Sequence, residues 1–317
     1  MYTEYYGFSE QPFNITPDPR FLYLTPGHRE ALAALVYGIR ERKGFVALTG
    51  EVGTGKTTLL YRLIDNLDEK VRTAFIFHTH TTFKQVLKSI FLELNLPVRD
   101  DDTVLLISRL NHYLIERAVA GEIVALIIDE AQDLATEVLE DIRLLSNLET
   151  RSAKLLQIVL CGQPELEEKL NATGLRQLRQ RIAILRRIGP LSDAECWDYV
   201  DHRLKIVGGN AARLFTPGAM TLLCRHSRRI PRVINVMCDN ALLIGFAKSS
   251  KKIDETIMLE VILDMDGALS HATPLTVTLS PATPALPVIE AAHEPPPHAR
   301  KLSSLERLLA AVATRRR

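Results

Sequence analysis

Residues 50–57 combine glycines, a lysine and a threonine at the spacing that binds a polyphosphate. The segment is Gly-Glu-Val-Gly-Thr-Gly-Lys-Thr, which fits G-x-x-x-x-G-K-[ST], and it lies between an apolar run and a helical pattern. Glycines let such a loop wrap, so that successive backbone N–H groups point at phosphate oxygens near the positive end of a helix. The sequence therefore predicts a phosphate-binding loop made of Gly50, Glu51, Val52, Gly53, Thr54, Gly55, Lys56, Thr57 and Thr58.

Lys56 and Thr57 give this loop its expected chemistry. The Lys56 ammonium is expected on the β- and γ-phosphates, and the Thr57 hydroxyl is expected to ligate Mg²⁺. A dinucleotide fingerprint would need a third glycine soon after Gly55, where this chain instead continues Lys-Thr-Thr. The predicted cofactors are therefore ATP and Mg²⁺, and phosphoryl transfer is favoured over hydride transfer.

Two adjacent carboxylates, Asp129 and Glu130, follow the apolar run Ile123–Ile128. A buried strand of this composition would place Asp129 near the phosphate-binding loop, where it can hold the Mg²⁺ together with Thr57. Glu130 is then placed to orient and deprotonate an attacking water. Adjacent acids also occur at solvated strand ends, but their position downstream of a phosphate-binding loop favours the catalytic interpretation.

Polar residues farther along the chain are candidates for the same site. Gln163 follows an apolar run and can hydrogen-bond the γ-phosphate or the water, the alternative being a loop side chain in solvent. Arg232 follows a proline at a predicted helix start and can reach the nucleotide, the alternative being a surface arginine. A basic stretch supplies either a nucleic-acid contact or an arginine for a neighbouring subunit's phosphate, and it comprises Arg176, Arg179, Arg181, Arg186 and Arg187.

These residues need a scaffold, and the apolar pattern predicts a parallel α/β sheet. Apolar runs rich in Val and Ile alternate with helical patterns, as in repeated β-α units. Strands are expected at 45–49, 73–78, 123–128, 155–160 and 182–188. Four helices are expected after Pro190, at 192–207, 216–227, 231–248 and 254–265. Ser192 with Glu195 predicts a capping box, and Thr216 before Pro217 predicts a helix start.

The chain is expected to contain five segments. Residues 1–27, with prolines among aromatic residues, are expected to be ordered but irregular and to pack near the nucleotide base. The other segments are an α/β nucleotide-binding domain at 28–190, a helical lid domain at 191–267, a Pro-rich linker at 268–299 and a basic amphipathic tail helix at 300–317. The tail is expected to dock onto a partner groove or an anionic surface, the alternative being a disordered tail.

Composition excludes several classes of protein. Lys and Arg number 39 against 38 Asp and Glu, so the global charge favours neither nucleic acid nor lipid as a partner. The 4 cysteines form no C-x-x-C pair, so the sequence suggests no zinc site built on cysteines. His78 and His80 are weak evidence for a metal site, and these two histidines are interpreted as polar residues at a strand end. The first residues lack a signal-peptide pattern, and no membrane span is expected. A cytoplasmic protein, at most peripheral at the inner membrane, is predicted.

With these residues in place, the chain resembles the AAA+ ATPases of the ExeA/GspA type and, more distantly, the TnsC-like ATPases of transposition. The resemblance covers residues 1 to about 266. The segments that carry it are Tyr6-Gly7-Phe8, Gln11-Pro12-Phe13, Thr16-Pro17-Asp18-Pro19-Arg20, the phosphate-binding loop, Asp129-Glu130-Ala131-Gln132, Leu144-Leu145-Ser146-Asn147, Gly162-Gln163-Pro164-Glu165-Leu166, Gln180-Arg181-Ile182, Ile230-Pro231-Arg232 and Asn235.

The resemblance implies roles for three polar residues and a form of assembly. Gln163 matches a sensor-1 position, Arg181 an arginine finger and Arg232 a sensor-2 arginine in the lid. It also implies a five-stranded sheet of order 5-1-4-3-2 and a nucleotide-dependent homo-oligomer whose active sites are completed between subunits. The family usually has glycine before its Ile-Pro-Arg, whereas this chain has Arg228 and Arg229. Secretion-type members can continue into a membrane helix and a peptidoglycan-binding domain, where this chain has a Pro-rich linker and a short basic helix.

The leading hypothesis for function is an ATPase that assembles or remodels a partner complex. The partner is unidentified, with an inner-membrane or secretion component as one candidate. The alternative is an ATP-dependent DNA-binding adaptor of TnsC/MuB-like type that acts in transposition, for which nucleic acid would be the partner. A third hypothesis is a nucleotide-gated scaffold with little turnover, and intact Lys56, Asp129 and Glu130 argue against it.

Overall fold

A parallel sheet positions the candidate site in the computed structural model of the chain. Its 5 strands are Phe45–Gly50 (β1), Val71–Ile76 (β2), Ile123–Ile128 (β3), Leu156–Gly162 (β4) and Ile182–Ile188 (β5). They lie in the order β2-β3-β4-β1-β5, with every pairing parallel. This confirms the expected α/β fold and the expected order 5-1-4-3-2. The strand bounds differ from the expectations by at most two residues.

The structure describes residues 1–16, 18–77, 81–98, 101–150 and 153–270, with side chains as far as Met265. These residues belong to a compact unit that extends from Met1 to Ala272. The interpretation of His78 and His80 as residues at a strand end, most of the expected linker and the expected tail helix at 300–317 lie outside the described residues.

Helices cover both faces of the sheet and form the region that follows it. In chain order the helices of the described residues are Tyr2–Tyr6 (α1), Pro26–Arg40 (α2), Lys56–Asn66 (α3), Phe83–Glu93 (α4), Thr103–Val119 (α5), Thr136–Leu145 (α6), Pro164–Asn171 (α7), Arg176–Arg181 (α8), Asp193–Ile206 (α9), Ala211–Leu214 (α10), Pro217–His226 (α11), Pro231–Ala247 (α12) and Glu255–Ser270 (α13). Short 3₁₀ turns lie at Pro19–Phe21, Ala131–Asp133 and Thr173–Leu175.

The central strands β1, β3 and β4 are buried almost throughout because helices cover both faces of the sheet. Leu35 and Leu59, from α2 and α3, pack on one face, whereas Leu87 and Ile142, from α4 and α6, pack on the other. The register pairs Thr49 with Gly162, so the carboxyl ends of β1 and β4 meet at one edge of the sheet. In an open parallel sheet, ligands bind at this edge.

The lid helices α9 to α13 form a separate core, which includes the N-terminal segment. Tyr2 and Phe13 are buried in this core together with lid residues. The Tyr6 hydroxyl donates to the Ser250 carbonyl at 3.0 Å, and the Ser9 N–H donates to the Val207 carbonyl at 3.1 Å. The N-terminal segment is therefore attached to the lid through both apolar packing and hydrogen bonds.

The four helices expected after Pro190 are present as α9, α11, α12 and α13. Two short helices, α1 and α10, were not expected from the sequence. The Ser192–Glu195 capping box is present, and Thr216 caps α11. The N-terminal segment was expected to be irregular, but Tyr2–Tyr6 forms a helix that ends at Gly7 in a left-handed conformation with φ 76°. Prolines begin only at Pro12, so they leave room for this helix. Helix α10, capped by Asn210, was not expected, because four residues are too few for a clear periodicity.

Candidate functional site

The phosphate-binding loop connects the end of β1 to the start of α3. Gly53 and Gly55 adopt left-handed conformations, with φ of 81° and 97°, which residues with side chains adopt only with strain. A Cβ atom on Gly53 would lie 2.5 Å from Cβ of Arg232, and one on Gly50 would lie 2.4 Å from the Ile188 carbonyl oxygen. Glycine at these positions therefore lets the loop turn at the helix N-terminus while neighbouring segments approach it closely.

Lys56 is a buried cation at the start of α3. Its side chain is 6% exposed, and its Nζ donates to the Gly50 carbonyl at 2.7 Å and the Glu51 carbonyl at 3.0 Å. No described carboxylate forms an ion pair with it. A buried charge with only neutral partners is costly, so the site is electrostatically suited to an anion.

Thr57 and Asp129 meet at the carboxyl edge of the sheet. The Thr57 hydroxyl donates to Asp129 Oδ2 at 2.7 Å, and Asp129 is 3% exposed. The Asp129 N–H donates to the Ile76 carbonyl at 3.0 Å, which fixes the residue directly beyond β3. The structure therefore brings together the two oxygen ligands that the sequence assigned to Mg²⁺.

Glu130 lies beside this pair in a strained conformation. Its backbone has φ 52° and ψ 39°, the left-handed region, in which a residue other than glycine is strained. Gln132 Nε2 and Gln163 Nε2 donate to Glu130 Oε2 at 2.8 and 3.2 Å. The backbone N–H of Gln163 in turn donates to Gln132 Oε1 at 3.0 Å. The two amides therefore fix the position of one Glu130 oxygen.

Gln132 has a structural role that sequence reasoning missed. It is 9% exposed, and it bridges Glu130 to the backbone at the start of α7. A signal was available, because Gln132 stands two residues after Glu130 within one of the segments that carry the family resemblance. The role could not be assigned without knowing that Gln163 is its neighbour.

The lid reaches the phosphate-binding loop through Arg232. This residue is in the first turn of α12, directly after Pro231. Its backbone N–H donates to the Gly53 carbonyl at 3.1 Å, and the residue lines the cleft. The structure thus places Arg232 at the phosphate-binding loop, although a catalytic role for it stays a prediction.

Together these elements enclose a cleft of about 470 Å³, a volume typical of small-molecule sites. One end, the phosphate end, is lined by Val52, Gly53, Thr54, Gly55, Lys56, Thr57, Thr58 and Glu130. The N-terminal segment and the region after β5 supply a second group of lining residues, called the base end below because a nucleoside would lie there if the loop bound the phosphates; they are Asn14, Ile15, Thr16, Asp18, Phe21, Leu22, Tyr23, Leu191, Tyr199, Arg203 and Asn235. The N-terminal segment and the lid therefore share one end of the cleft.

His28, in the first turn of α2, was also missed from sequence. It is 3% exposed, its Nδ1 lies 2.7 Å from Thr25 Oγ1, and its Nε2 lies 3.0 Å from the Thr54 carbonyl oxygen. Burial lowers the pKa of His28, partly opposed by the Thr54 contact. A neutral imidazole that donates from Nε2 and accepts at Nδ1 satisfies both contacts, so His28, which also lines the cleft, holds the backbone of the phosphate-binding loop at Thr54.

Arg181 lies outside the cleft lining. Its Nη1 donates to Ser146 Oγ, to Asn147 Oδ1 at 2.8 Å and to the Arg143 carbonyl at 3.3 Å, which ties the end of α8 to the end of α6. Within the described chain it does not join Lys56 and Glu130. A role toward a neighbouring subunit stays a prediction, as does a nucleic-acid contact by the same basic stretch.

Comparison with known proteins agrees with this geometry. Residues 39–170 match the family described as AAA domain. Over 254 residues it is 45% identical to general secretion pathway protein A of Aeromonas hydrophila, a match that covers 80% of this chain and 46% of that protein. This confirms the expected resemblance to the ExeA/GspA-type AAA+ ATPases, and the chain spans less than half the length of this relative.

Two solved structures share the fold. The ORC2 protein of Aeropyrum pernix has a TM-score of 0.61 at 17% identity, with 80% of this chain and 72% of that chain covered. Cdc6p of Pyrobaculum aerophilum has a TM-score of 0.60 at 20% identity, with 74% and 67% covered. At these identities the similarity establishes the fold alone. In the part of the chain that the structure describes, no helix is long and apolar enough to cross a bilayer.

Proposed function

We propose that this AAA-domain chain binds ATP with Mg²⁺ in the cleft and hydrolyses it to assemble or remodel a partner complex. The observation that carries the proposal is Lys56, a buried cation without a described carboxylate partner, held in a loop in which Gly53 and Gly55 have left-handed conformations. A polyphosphate supplies the negative charge that this position lacks. Neighbouring Thr57 and Asp129 offer the few oxygen ligands that Mg²⁺ takes from proteins when phosphates complete its shell.

Each residue then has a defined task. Backbone N–H groups of residues 53–57 and the Lys56 ammonium bind the β- and γ-phosphates. Thr57 and Asp129 hold Mg²⁺, whose role is to neutralise charge on the phosphate oxygens. Glu130 accepts a proton from the attacking water. Gln163, as a sensor-1 residue, orients the water or the γ-phosphate, and its bond to Glu130 Oε2 keeps the two side chains together.

Assembly is a second part of the proposal. Arg181 acts as an arginine finger on ATP bound to the next copy of the chain in a homo-oligomer, and Arg232 acts as a sensor-2 arginine within its own subunit. A guanidinium at the transferring phosphate contributes on the order of 10³-fold or more in rate. In the isolated chain Arg181 is bound to the end of α6, so assembly has to release it toward the neighbour.

The partner complex is proposed to belong to secretion rather than transposition. The relative from Aeromonas hydrophila is named general secretion pathway protein A. This name favours the secretion-associated hypothesis over the DNA-adaptor alternative. On this proposal the chain works in the cytoplasm, peripheral to the inner membrane. Its partner should then co-purify from the membrane fraction of the native cell.

A mixing experiment tests the catalytic proposal. The wild-type protein should hydrolyse ATP with a specific activity that rises with protein concentration. Arg181→Ala should bind ATP normally and hydrolyse it poorly, and adding Lys56→Ala protein should restore part of the activity, because that protein still supplies an intact Arg181. An activity that does not depend on concentration and shows no rescue would contradict the shared site. No hydrolysis by the wild-type protein at any concentration would contradict the proposed function itself.

A further inference from the structure

Arg203, on α9 of the lid, is a buried cation at the base end of the cleft. It is 7% exposed, and no described carboxylate forms an ion pair with it. Its Nε donates to the Pro12 carbonyl at 2.6 Å, and its Nη2 donates to the Asn14 carbonyl at 3.2 Å. Its guanidinium carbon lies 4.7 Å from the centre of the Phe21 ring. Three contacts from one side chain therefore attach residues 12–16 and 18–23, called the strap below, to the lid.

The same guanidinium continues into the lid. Its Nη1 donates to the Tyr199 hydroxyl at 3.2 Å, and that hydroxyl donates to Asn235 Oδ1 at 2.8 Å. Asn235 is 7% exposed and lies one turn after Arg232 on α12, the residue whose N–H holds the Gly53 carbonyl at 3.1 Å. A continuous set of contacts thus runs from the strap through the lid to the phosphate-binding loop.

We propose that Arg203 is a positioning residue that fastens the strap to the lid and so sets the wall around the nucleoside of the bound nucleotide. This inference rests on the proposed nucleotide binding and adds a determinant of affinity at the base end. The guanidinium is planar and presents several donors in a fixed fork, so it can hold two strap carbonyls and Tyr199 together. A lysine ammonium has the charge but not the fork, so it cannot make the same three contacts.

The position of Arg203 gives the inference a specific consequence. Of its contacts, Asn14, Phe21 and Tyr199 line the base end and Pro12 lies just before this lining, whereas the proposed phosphate site is the loop around Lys56. Loss of the Arg203 contacts should therefore weaken binding of a whole nucleotide but leave binding of a bare polyphosphate unchanged. General destabilisation of the fold would weaken both.

Binding of ADP and of inorganic pyrophosphate, each with Mg²⁺, separates these outcomes. Calorimetric titrations would compare the full-length wild type with Arg203→Gln and Arg203→Lys, with Arg213→Gln as a control for an exposed lid arginine outside the cleft lining. Arg203→Gln should raise the Kd for ADP about tenfold, the loss expected when charge-assisted hydrogen bonds are removed. Its Kd for pyrophosphate should change by less than about twofold, and Arg203→Lys should recover little of the loss.

Several results would overturn the inference. An unchanged Kd for ADP in Arg203→Gln would show that Arg203 does not set the base end, and an equal loss for ADP and pyrophosphate would show a general structural role. A wild-type protein that binds pyrophosphate as tightly as ADP would show that the base end contributes nothing. If the wild type bound neither ligand, the proposed function would fail together with the inference.

Hydrogen exchange tests the same inference, first on the wild-type protein and then on Arg203→Lys. ADP should slow exchange of the strap amides, whereas pyrophosphate at the same fractional saturation should leave them unchanged. In Arg203→Lys without nucleotide, the strap amides should exchange faster while α11 and α13 keep wild-type protection. Equal protection of the strap by ADP and pyrophosphate, or faster exchange throughout the lid, would contradict the fastening role.

Discussion

The two ends of the cleft are built in different ways. The phosphate end comes mainly from residues 52–58, in one short segment that leads from β1 into α3, together with Glu130 just after β3. The base end comes from the N-terminal strap and from helices much later in the chain. The hydrogen bond from Arg203 to the Pro12 carbonyl, which attaches the strap to α9, joins residues that are 191 positions apart. Local sequence thus determines one end, and tertiary packing determines the other.

This difference separates what each end can control. On the proposed mechanism, the phosphate end holds the charged groups that bind the phosphates and act on the water, so changes to those groups should alter binding or turnover by large factors. On the same proposal the base end surrounds the nucleoside, so changes there should alter affinity by smaller factors. The Arg203 variants above test the base end, and the predictions below test the phosphate end and its supporting residues, starting with the largest effect.

The largest change in nucleotide binding is expected for Lys56→Ala. No other described residue places a cation in the loop beside the Gly50 and Glu51 carbonyls, so the β- and γ-phosphates would lose their charged partner. Charge-assisted contacts of this kind predict a fall in ATP affinity on the order of 100-fold. Titration with ATP and Mg²⁺ measures it, with Lys70→Ala as the exposed lysine control. Wild-type affinity in Lys56→Ala would remove the basis for the division between the two ends.

A smaller effect, on turnover alone, is expected for Gln132→Ala. This change removes a hydrogen bond to Glu130 Oε2 and the acceptor of the Gln163 N–H, so Glu130 should lose its fixed orientation. We expect kcat to fall about tenfold, as for the loss of one or two supporting hydrogen bonds, with KM changed by less than twofold. Steady-state kinetics measure kcat and KM for Gln132→Ala, with Gln177→Ala as the control for an exposed glutamine. A raised KM with unchanged kcat would place Gln132 in binding rather than in chemistry.

The smallest expected effect is on the pH dependence of folding stability, to which His28 contributes. Because burial lowers the pKa of His28, the unfolded chain takes up a proton near pH 6.5 that the folded chain takes up only at lower pH. Folding stability should therefore fall as pH drops below about 6.5. Between pH 7.5 and 5.5, His28→Gln should lose less stability than the wild type, by up to about 1.4 kcal/mol.

Urea unfolding at the two pH values measures this difference. His202 also has a pKa lowered by burial, but it is present in both proteins and cancels from the comparison. Equal losses of stability in the wild type and His28→Gln would show that His28 remains free to take up a proton in the folded chain. The proposal that a neutral His28 imidazole holds the loop backbone at Thr54 would then be wrong.

How much the sequence could predict follows the same division. The loop, Asp129 and Glu130 are local patterns, and the strand order followed from the family resemblance. His28, Arg203 and Gln132 were missed because their roles depend on partners brought close by folding, such as Thr54, which is 26 residues from His28. The helix at Tyr2–Tyr6 was missed because the prolines after it suggested irregular structure for the whole segment. Its stability comes from packing of Tyr2 in the lid core, which no local pattern shows.

The most direct test of the ATPase proposal is turnover by Glu130→Gln, measured on protein whose ATP binding is measured in parallel. The amide keeps the size of the side chain but cannot accept the proton of the attacking water. The rate should fall by at least about 100-fold while the Kd for ATP stays within about twofold of wild type, and ATP should remain trapped. Asp133→Asn, which changes an exposed acid in the 3₁₀ turn that directly follows Glu130, should keep the wild-type rate. Hydrolysis by Glu130→Gln at the wild-type rate would contradict the assignment of the base and the mechanism built on it.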